Sequence, residues 1–326
     1  MDNVINWGII GCGDVCEVKS GPAFNKVPNS KLVAVMRRDL DKSKDYALRH
    51  NVSKAYSEAQ HLIEDPEVTA IYIATPPASH EEYAIRSINE GKPVYIEKPL
   101  SINSESTRRI LETAQTKNVK AVGAYYRRSL PLFIKVKELI DQNVLGKIDS
   151  ININLLQSRF YDHIAKTESN WRLDSEISGG GLFHDLAPHM LDIIYWIFGK
   201  PLEVIGGSEN RGEYSKVSDY TFLRASFQKG ERLEGVWDFN FTEGFQQDTC
   251  LITGENGYIK FSFFALNPLE ICINDQAHEK MEFQNPQNIQ LNMISDVVKY
   301  FLNKGTNPCS ISDALVSMEM IDATVN

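Results

Sequence analysis

The sequence predicts a two-domain α/β protein, with a doubly wound parallel sheet over residues 1–123 and an α+β domain over 124–326. Three observations predict it. Short β-rich apolar runs alternate with helical runs up to residue 123, the sign of parallel strands joined by crossover helices. A glycine turn directly follows the first of these strands. Beyond about residue 142 longer strands follow one another without intervening helices, as an antiparallel or mixed sheet requires.

The predicted strands of the first domain are Val4 to Ile10, Lys31 to Met36, Ala70 to Ala74, Val94 to Ile96 and Lys120 to Gly123. Helices are predicted over Val15 to Phe24, Asp41 to His50, Ser79 to Glu90 and Ser104 to Lys117, with Ser104 as the N-cap of the last. A helix over Leu130 to Gln142 precedes the second domain, whose clearest strand is Glu231 to Thr242. There Leu233, Trp237, Phe239 and Phe241 form one apolar face, and Arg232, Glu234, Asp238 and Asn240 point the other way. An open sheet face of mixed polarity suits a subunit interface, so a homodimer or homotetramer through the C-terminal sheet is expected. Helical patterns return at Asn288 to Asn303 and Ser312 to Thr324.

Composition narrows the function. A formal charge of -9 over 326 residues repels phosphodiester backbones and anionic lipid, and no Lys/Arg-dense stretch beyond pairs such as Arg127-Arg128 offsets it. Neither nucleic acid nor membrane is an expected partner. No apolar run approaches the roughly 18 residues of a spanning helix. The first apolar run leads straight into the glycine turn, which reads as a strand and not as a secretion signal. Five cysteines without a C-x-x-C fit a reducing compartment, and the expected location is the cytoplasm.

The turn itself reads Gly11-Cys12-Gly13-Asp14-Val15-Cys16. In a dinucleotide-binding Rossmann fingerprint the first glycine makes the turn, the second lets backbone approach the pyrophosphate, and the third permits close helix packing. Cys16 holds the third place. Gly11, Gly13, Asp14 and Val15 are the expected pyrophosphate contacts. The second strand ends in Met36-Arg37-Arg38, without the carboxylate that usually binds the ribose 2′-hydroxyl. A guanidinium pairs with a 2′-phosphate, so Arg37 and Arg38 point to NADP. The alternative is a solvated arginine pair, with Asp39 or Asp41 serving the ribose of NAD.

Further runs follow in order: Ala74-Thr75-Pro76-Pro77 with His80; Gly91-Lys92-Pro93 leading to Glu97-Lys98-Pro99; Trp171-Arg172; and Gly179-Gly180-Gly181 ahead of His184, Asp185, Pro188, His189 and Asp192. In this combination the chain resembles the glucose-fructose oxidoreductase, inositol dehydrogenase and rhizopine-catabolism (Gfo/Idh/MocA) family, and in its arginine pair the NADP-using branch. The resemblance implies a large, mainly antiparallel C-terminal sheet, hydride transfer at a carbon bearing oxygen, and a sugar, cyclitol, polyol or related carbonyl as substrate. It also implies a cis peptide before Pro99. It places Thr75, Pro76, His80 and Glu97 along the cofactor crevice and brings Trp171 and Arg172 to the nicotinamide or pyrophosphate. Tyr126, between Tyr125 and Arg127, falls where a ribose or sugar could be met. The bland readings are a capping role for His80, a surface Arg172 and a core Tyr126.

Carbonyl reduction needs a proton donor or strong dipole where negative charge develops on oxygen. Lys98 follows a strand whose carboxyl end faces the ligand edge of such sheets. On one helix Asp185, His189 and Asp192 stand at i, i+4 and i+7 and share a face. Pro188 is comfortable only in a first turn, so that helix is expected to start no more than a few residues before it. His189 suits reversible proton transfer, with Asp185 to hold its charged form and Asp192 as a buried partner. The sequence leaves open whether Lys98 or His189 carries the proton. A metal site is disfavoured, because His184 and His189 stand five apart on different faces. Competing readings are a structural Asp–His network, an NADP-binding sensor on the same fold, and an NAD-dependent sugar or inositol dehydrogenase.

Overall fold

The computed structural model describes residues 4–160, 171–213, 215–274 and 279–325. The chain forms two compact units, Met1–Tyr126 with Pro286–Leu315 and Arg127–Asn285 with Val316–Asn326.

The first unit alternates β1 (Ile5–Ile10), α1 (Asp14–Val18), α2 (Gly21–Phe24), β2 (Ser30–Met36), α3 (Leu40–Arg49), β3 (Lys54–Tyr56), α4 (Ala59–Glu64), β4 (Ala70–Ile73), α5 (His80–Asn89), β5 (Val94–Ile96), α6 (Ser104–Lys117) and β6 (Ala121–Gly123). All six strands pair in parallel in the order β3-β2-β1-β4-β5-β6. This is the doubly wound arrangement, with its switch point between β1 and β4. Both faces of the sheet are covered, which is why β1, β2 and β4 are nearly continuous apolar runs. Trp7, Phe24, Tyr72 and Tyr95 pack in a chain of ring contacts with centroids 4.8 to 5.2 Å apart where successive.

The predicted helix over Val15 to Phe24 is in fact two short helices. Pro22 has no N–H to give the Val18 carbonyl, and the Tyr46 hydroxyl takes the Cys16 carbonyl at 2.8 Å, so the ladder breaks between them. The N-cap of α6 is Asn103, whose side chain accepts from the Ser106 amide at 2.8 Å; Ser104 is the first helical residue. The edge strand β3 and helix α4 escape the sequence reading because three half-exposed residues, Lys54 to Tyr56, carry no periodicity.

The second unit contains α7 (Pro131–Asp141), β7 (Ile148–Gln157), α8 (Ser175–Ser178), α9 (Leu182–Phe198), β8 (Glu203–Glu209), β9 (Tyr220–Ser226), β10 (Arg232–Asp238), β11 (Gln246–Gly254), β12 (Gly257–Phe261), β13 (Leu269–Ile273) and β14 (Glu279–Met281). Its eight strands run β14-β13-β12-β11-β7-β10-β9-β8, antiparallel except for β7 beside β10. The alternation expected in β10 holds: Leu233, Gly235 and Trp237 are buried while Arg232 and Glu234 are exposed. The strand ends at Asp238, four residues earlier than predicted, because the Asp238 carboxylate accepts the Asn240 amide at 3.0 Å and turns the chain. On the covered face Trp237 meets α9, its ring 5.0 Å from Phe183 and its indole N–H 3.1 Å from Met190 Sδ.

After β14 come α10 (Leu291–Phe301) and α11 (Ile311–Asp322). Residues 286–315 group with the first unit, where Lys120 Nζ donates to the Tyr300 and Phe301 carbonyls at 2.6 and 3.1 Å. Among the described residues no helix is long and apolar enough to cross a membrane.

Candidate active site

In the first unit the predicted site residues gather at one edge of the sheet. The carboxyl ends of β1, β2, β4 and β5 deliver Gly11, Arg37, Thr75 and Lys98 in turn. Gly11 has φ of +93°, and a Cβ there would lie 2.7 Å from Thr75 Cγ2 and 2.8 Å from the Thr75 amide nitrogen. Only glycine lets the ends of β1 and β4 come this close. Gly13 differs. Its φ of -102° and ψ of -158° suit any residue, and the nearest atom to an added Cβ is the Gly11 carbonyl oxygen at 4.0 Å. The protein itself leaves this space open, so the cradle fits a group brought against the Gly13 backbone, as a pyrophosphate would be. Cys16, at the third fingerprint position, is fully buried with Sγ 3.7 Å from the Gly11 carbonyl. The close approach that a glycine would allow there is made by Gly21, where a Cβ would collide with the Tyr46 hydroxyl and the Cys16 carbonyl.

Arg37 is half-buried and Arg38 exposed, and neither has a carboxylate partner among the described residues. Burial pushes the Cys12 thiol up to about 11, and the positive charge of Arg37 acts against that rise. Asp39, the alternative ribose ligand, is the N-cap of α3: its Oδ1 accepts the amides of Asp41 and Lys42, both at 3.1 Å.

His80 is placed otherwise than expected. Its ring is completely buried, with Nε2 2.6 Å from the Thr75 carbonyl and Nδ1 3.0 Å from the Pro99 carbonyl. Burial depresses its basicity. It ties the β4 and β5 loops together and presents no ring atom to a ligand. Glu97 also turns inward, at 5% exposure, where Oε1 accepts from the Tyr72 hydroxyl and Gln290 Nε2, each at 2.5 Å, and Oε2 accepts from the Lys98 amide at 3.1 Å. The Lys98–Pro99 peptide is cis. Thr75, Pro76 and Lys98 are half-buried, and Tyr126 is buried.

In the second unit one helix, α9, carries Asp185, His189 and Asp192, all buried and sharing a face. It starts six residues before Pro188, further than predicted, so the proline sits in the helix interior, with no N–H for the His184 carbonyl. Every residue from Leu182 to Ile194 is buried, and packing on all sides outweighs that one lost bond. Arg172 is not a surface residue. Its Nε donates to Asp185 Oδ2 at 2.7 Å, and its guanidinium lies 4.4 Å from the Trp171 ring centroid. Arg128 grips Asp192 with two bonds, Nε to Oδ2 at 2.9 Å and Nη2 to Oδ1 at 2.7 Å. The His189 ring meets the edge of Phe264 at 6.0 Å. Burial pushes His184 down to about 4, so it stays neutral, packed against Gly180 where no side chain would fit.

Two partners escaped sequence reading. Gln290 reaches Glu97 from 193 positions away, and Arg128 looked like half of a surface pair. Neither has a local signature.

Residues 5–126 match the model of an oxidoreductase family with an NAD-binding Rossmann fold, GFO/IDH/MocA, and residues 133–260 match that family's C-terminal domain. The chain is 45% identical over 324 residues to Oxidoreductase P35 of Formosa agariphila, covering 99% of this chain and 98% of that one. It is 25% identical to the trans-1,2-dihydrobenzene-1,2-diol dehydrogenase of Xenopus laevis, covering 97% and 94%. Among solved structures, a levoglucosan dehydrogenase in complex with NADH superposes with a TM-score of 0.86 at 21% identity, covering 98% of this chain and 96% of that one. An aldose-aldose oxidoreductase from Caulobacter crescentus does so with a TM-score of 0.86 at 18% identity over the same shares.

The open space at Gly13 makes a prediction. Gly13→Ala is expected to leave the thermal midpoint unchanged or slightly raised, by at most about 1 kcal/mol of stability. Dinucleotide affinity, followed by nicotinamide fluorescence, should fall by at least about tenfold, roughly 1.4 kcal/mol. An unaltered dissociation constant would place the pyrophosphate elsewhere.

Proposed function

The chain belongs to the Gfo/Idh/MocA oxidoreductase family, and from that premise we propose that it moves a hydride between NADP and the CH–OH or C=O carbon of a sugar, cyclitol or related polyol. The observation that carries this reading is the shared sheet edge. Four successive strand ends bring a pyrophosphate cradle, an unpaired arginine and a lysine to the side where open α/β sheets bind ligands.

In this reading Gly11, Gly13, Asp14 and Val15 hold the pyrophosphate, Arg37 and Arg38 the 2′-phosphate, and Thr75 and Pro76 border the nicotinamide half. When bound, the nicotinamide supplies or accepts the hydride. The protein's own task is the proton and the developing charge on oxygen. Lys98 carries an ammonium at the end of β5, held at its backbone by Glu97. His189 is the second proton-transfer group. Asp185 stands one turn before it on α9 and is fixed by Arg172. Substrate contacts fall to Lys98 and Tyr126 in the first unit and, separately, to Asp185 and His189 in the second. The relatives named for levoglucosan, aldose and trans-dihydrobenzenediol support a cyclic compound with neighbouring hydroxyls.

The NADP preference rests on Arg37 and Arg38 lacking acid partners among the described residues while Asp39 caps α3. The Michaelis constant for NADPH is expected to be at least about tenfold below that for NADH, and Arg37→Asp should erase most of that gap, as loss of a charge-assisted phosphate contact would. Equal constants for the two cofactors in the unaltered protein would remove the assignment.

A panel of levoglucosan, glucose, sugar lactones, myo-inositol and trans-cyclohexanediol, followed by nicotinamide absorbance, tests the reaction. With the best substrate, His189→Asn should lower turnover by about 10²- to 10⁴-fold and flatten the rise or fall of rate near neutral pH. If the rate and pH profile are unmoved in His189→Asn and lost in Lys98→Met, the proton belongs to Lys98 alone.

The second sheet supports self-association. On its open face Asn154, Phe222, Val236 and Thr249 are cross-strand neighbours, half-buried and mixed in polarity, beside the exposed Arg224–Glu234 pair at 3.3 Å. Light scattering after size exclusion should give the mass of two or four chains, and Val236→Lys should shift it toward one. A single-chain mass at micromolar concentration would end this reading.

A further inference from the structure

Buried carboxylates are normally met by cations or by several strong donors. Among the described residues Glu97 is met by neutral donors: the Tyr72 hydroxyl and the Gln290 amide on Oε1, and the Lys98 backbone amide on Oε2. Gln290 is only 1% exposed, and the Tyr95 hydroxyl donates to its Oε1 at 2.9 Å. That contact fixes the amide, because its oxygen must face a donor and its nitrogen an acceptor-only carboxylate. The same segment also reaches the helix behind the glycine turn. The Gln290 backbone N–H donates to the Lys19 carbonyl at 3.3 Å, and Asn288 donates through Nδ2 to the Val18 carbonyl at 2.5 Å while accepting from Lys26 Nζ at 2.6 Å.

We propose that Gln290 is a positioning residue for Lys98: by holding Glu97 Oε1 it sets the plane of the carboxylate whose Oε2 receives the Lys98 amide, and the segment 288–290 ties that constraint to the helix following the glycine turn. The inference rests on the reading of Lys98 as a proton-handling group. It adds a control that lies outside the motifs at the sheet edge. The Gln290 side chain hydrogen-bonds to Glu97 and Tyr95, so its link to Lys98 runs through the Glu97 carboxylate.

The chemistry of the pair supplies a conditional test. In Gln290→Glu the new carboxyl, when protonated, donates to Glu97 much as the amide does. When it ionises, two buried carboxylates face each other, and their shared proton is held above the ordinary carboxylate range. The other groups around Glu97 are the hydroxyls of Tyr72 and Tyr95, Lys98, the Cys16 thiol from α1 and the His80 imidazole from α5. Burial raises the first two and the thiol above their ordinary values and lowers that of His80, and all four are present in the unaltered protein as well. A transition seen only in the variant therefore belongs to the new pair.

Reductive ¹³C-methylation gives each lysine a resonance, and the Lys98 signal is identified by its loss in Lys98→Arg. In Gln290→Glu this signal is expected to match the unaltered protein at about pH 5 and to shift away from it as the pH rises toward about 8, where the shared proton is lost. In Gln290→Met it should be displaced at every pH. Tyr95→Phe removes only the hydroxyl that orients the amide and should displace the signal in the same direction by less. A Lys98 resonance that superposes on the unaltered protein throughout, in whichever of these variants is folded by circular dichroism, overturns the proposal whatever happens to the thermal midpoint. The resonance reads where Lys98 stands and Lys98→Met turnover reads what it does, so the two readings fail separately.

Discussion

The approach of the end of β1 to the end of β4 is the constraint on which the first unit depends. No side chain fits at Gly11, because the Thr75 amide and methyl occupy its place. With that contact made, the chain must turn sharply, and the turn leaves the Gly13 backbone facing open space. The remaining parts of the edge inherit their positions from strand pairing. β1 carries β2 and therefore Arg37 on one side, and β4 carries β5 and therefore Lys98 on the other. One missing Cβ thus sets the spacing between the glycine turn and the strand end that bears Lys98.

Buried charge is handled in two ways. On α9, Asp185 and Asp192 each face an arginine, Arg172 and Arg128, in pairs that are almost wholly buried. Such pairs add little net stability, since desolvation offsets most of the attraction, but they fix direction because breaking one strands a bare charge. Glu97 is instead surrounded by neutral hydrogen-bond donors. Hydroxyl and amide donors set the direction of this carboxylate, close to the strand end that bears Lys98, without a counter-ion among the described residues. The Asp–His helix is thus oriented by cations, and the lysine loop by neutral hydrogen bonds.

The sequence disclosed those elements whose cause is local. Alternation in β10 named Leu233 and Trp237 as buried and Arg232 and Glu234 as exposed, and the i, i+4, i+7 spacing put Asp185, His189 and Asp192 on one face. What stayed hidden has a distant cause. The break between α1 and α2 depends on a hydroxyl from α3 as well as on Pro22, and the cap of α6 passed from Ser104 to Asn103 because either residue type serves equally on paper. His80 read as a crevice residue since its position follows β4, but its ring lies buried between two loop carbonyls that only the folded sheet brings near. Arg172, Arg128 and Gln290 are single polar residues whose partners lie 13, 64 and 193 positions away, and no periodicity marks them.

Asp39 shows how a residue can be tied into the fold without using all of its chemistry. Its Oδ1 accepts two of the amides that open α3, and a cap of this kind is worth about 1 kcal/mol. The carboxylate has a second oxygen, so the cap fixes where the group stands and leaves further acceptor capacity at the end of β2. Arg37 and Arg38 stand immediately before it in the chain. A guanidinium meets a phosphate through charge-assisted bonds that a bare hydroxyl does not offer, whereas a carboxylate accepts from a hydroxyl and repels a phosphate. The strand end therefore carries both chemistries within three residues, and the capping bond holds the acid in place while the two cations remain on longer, freer side chains.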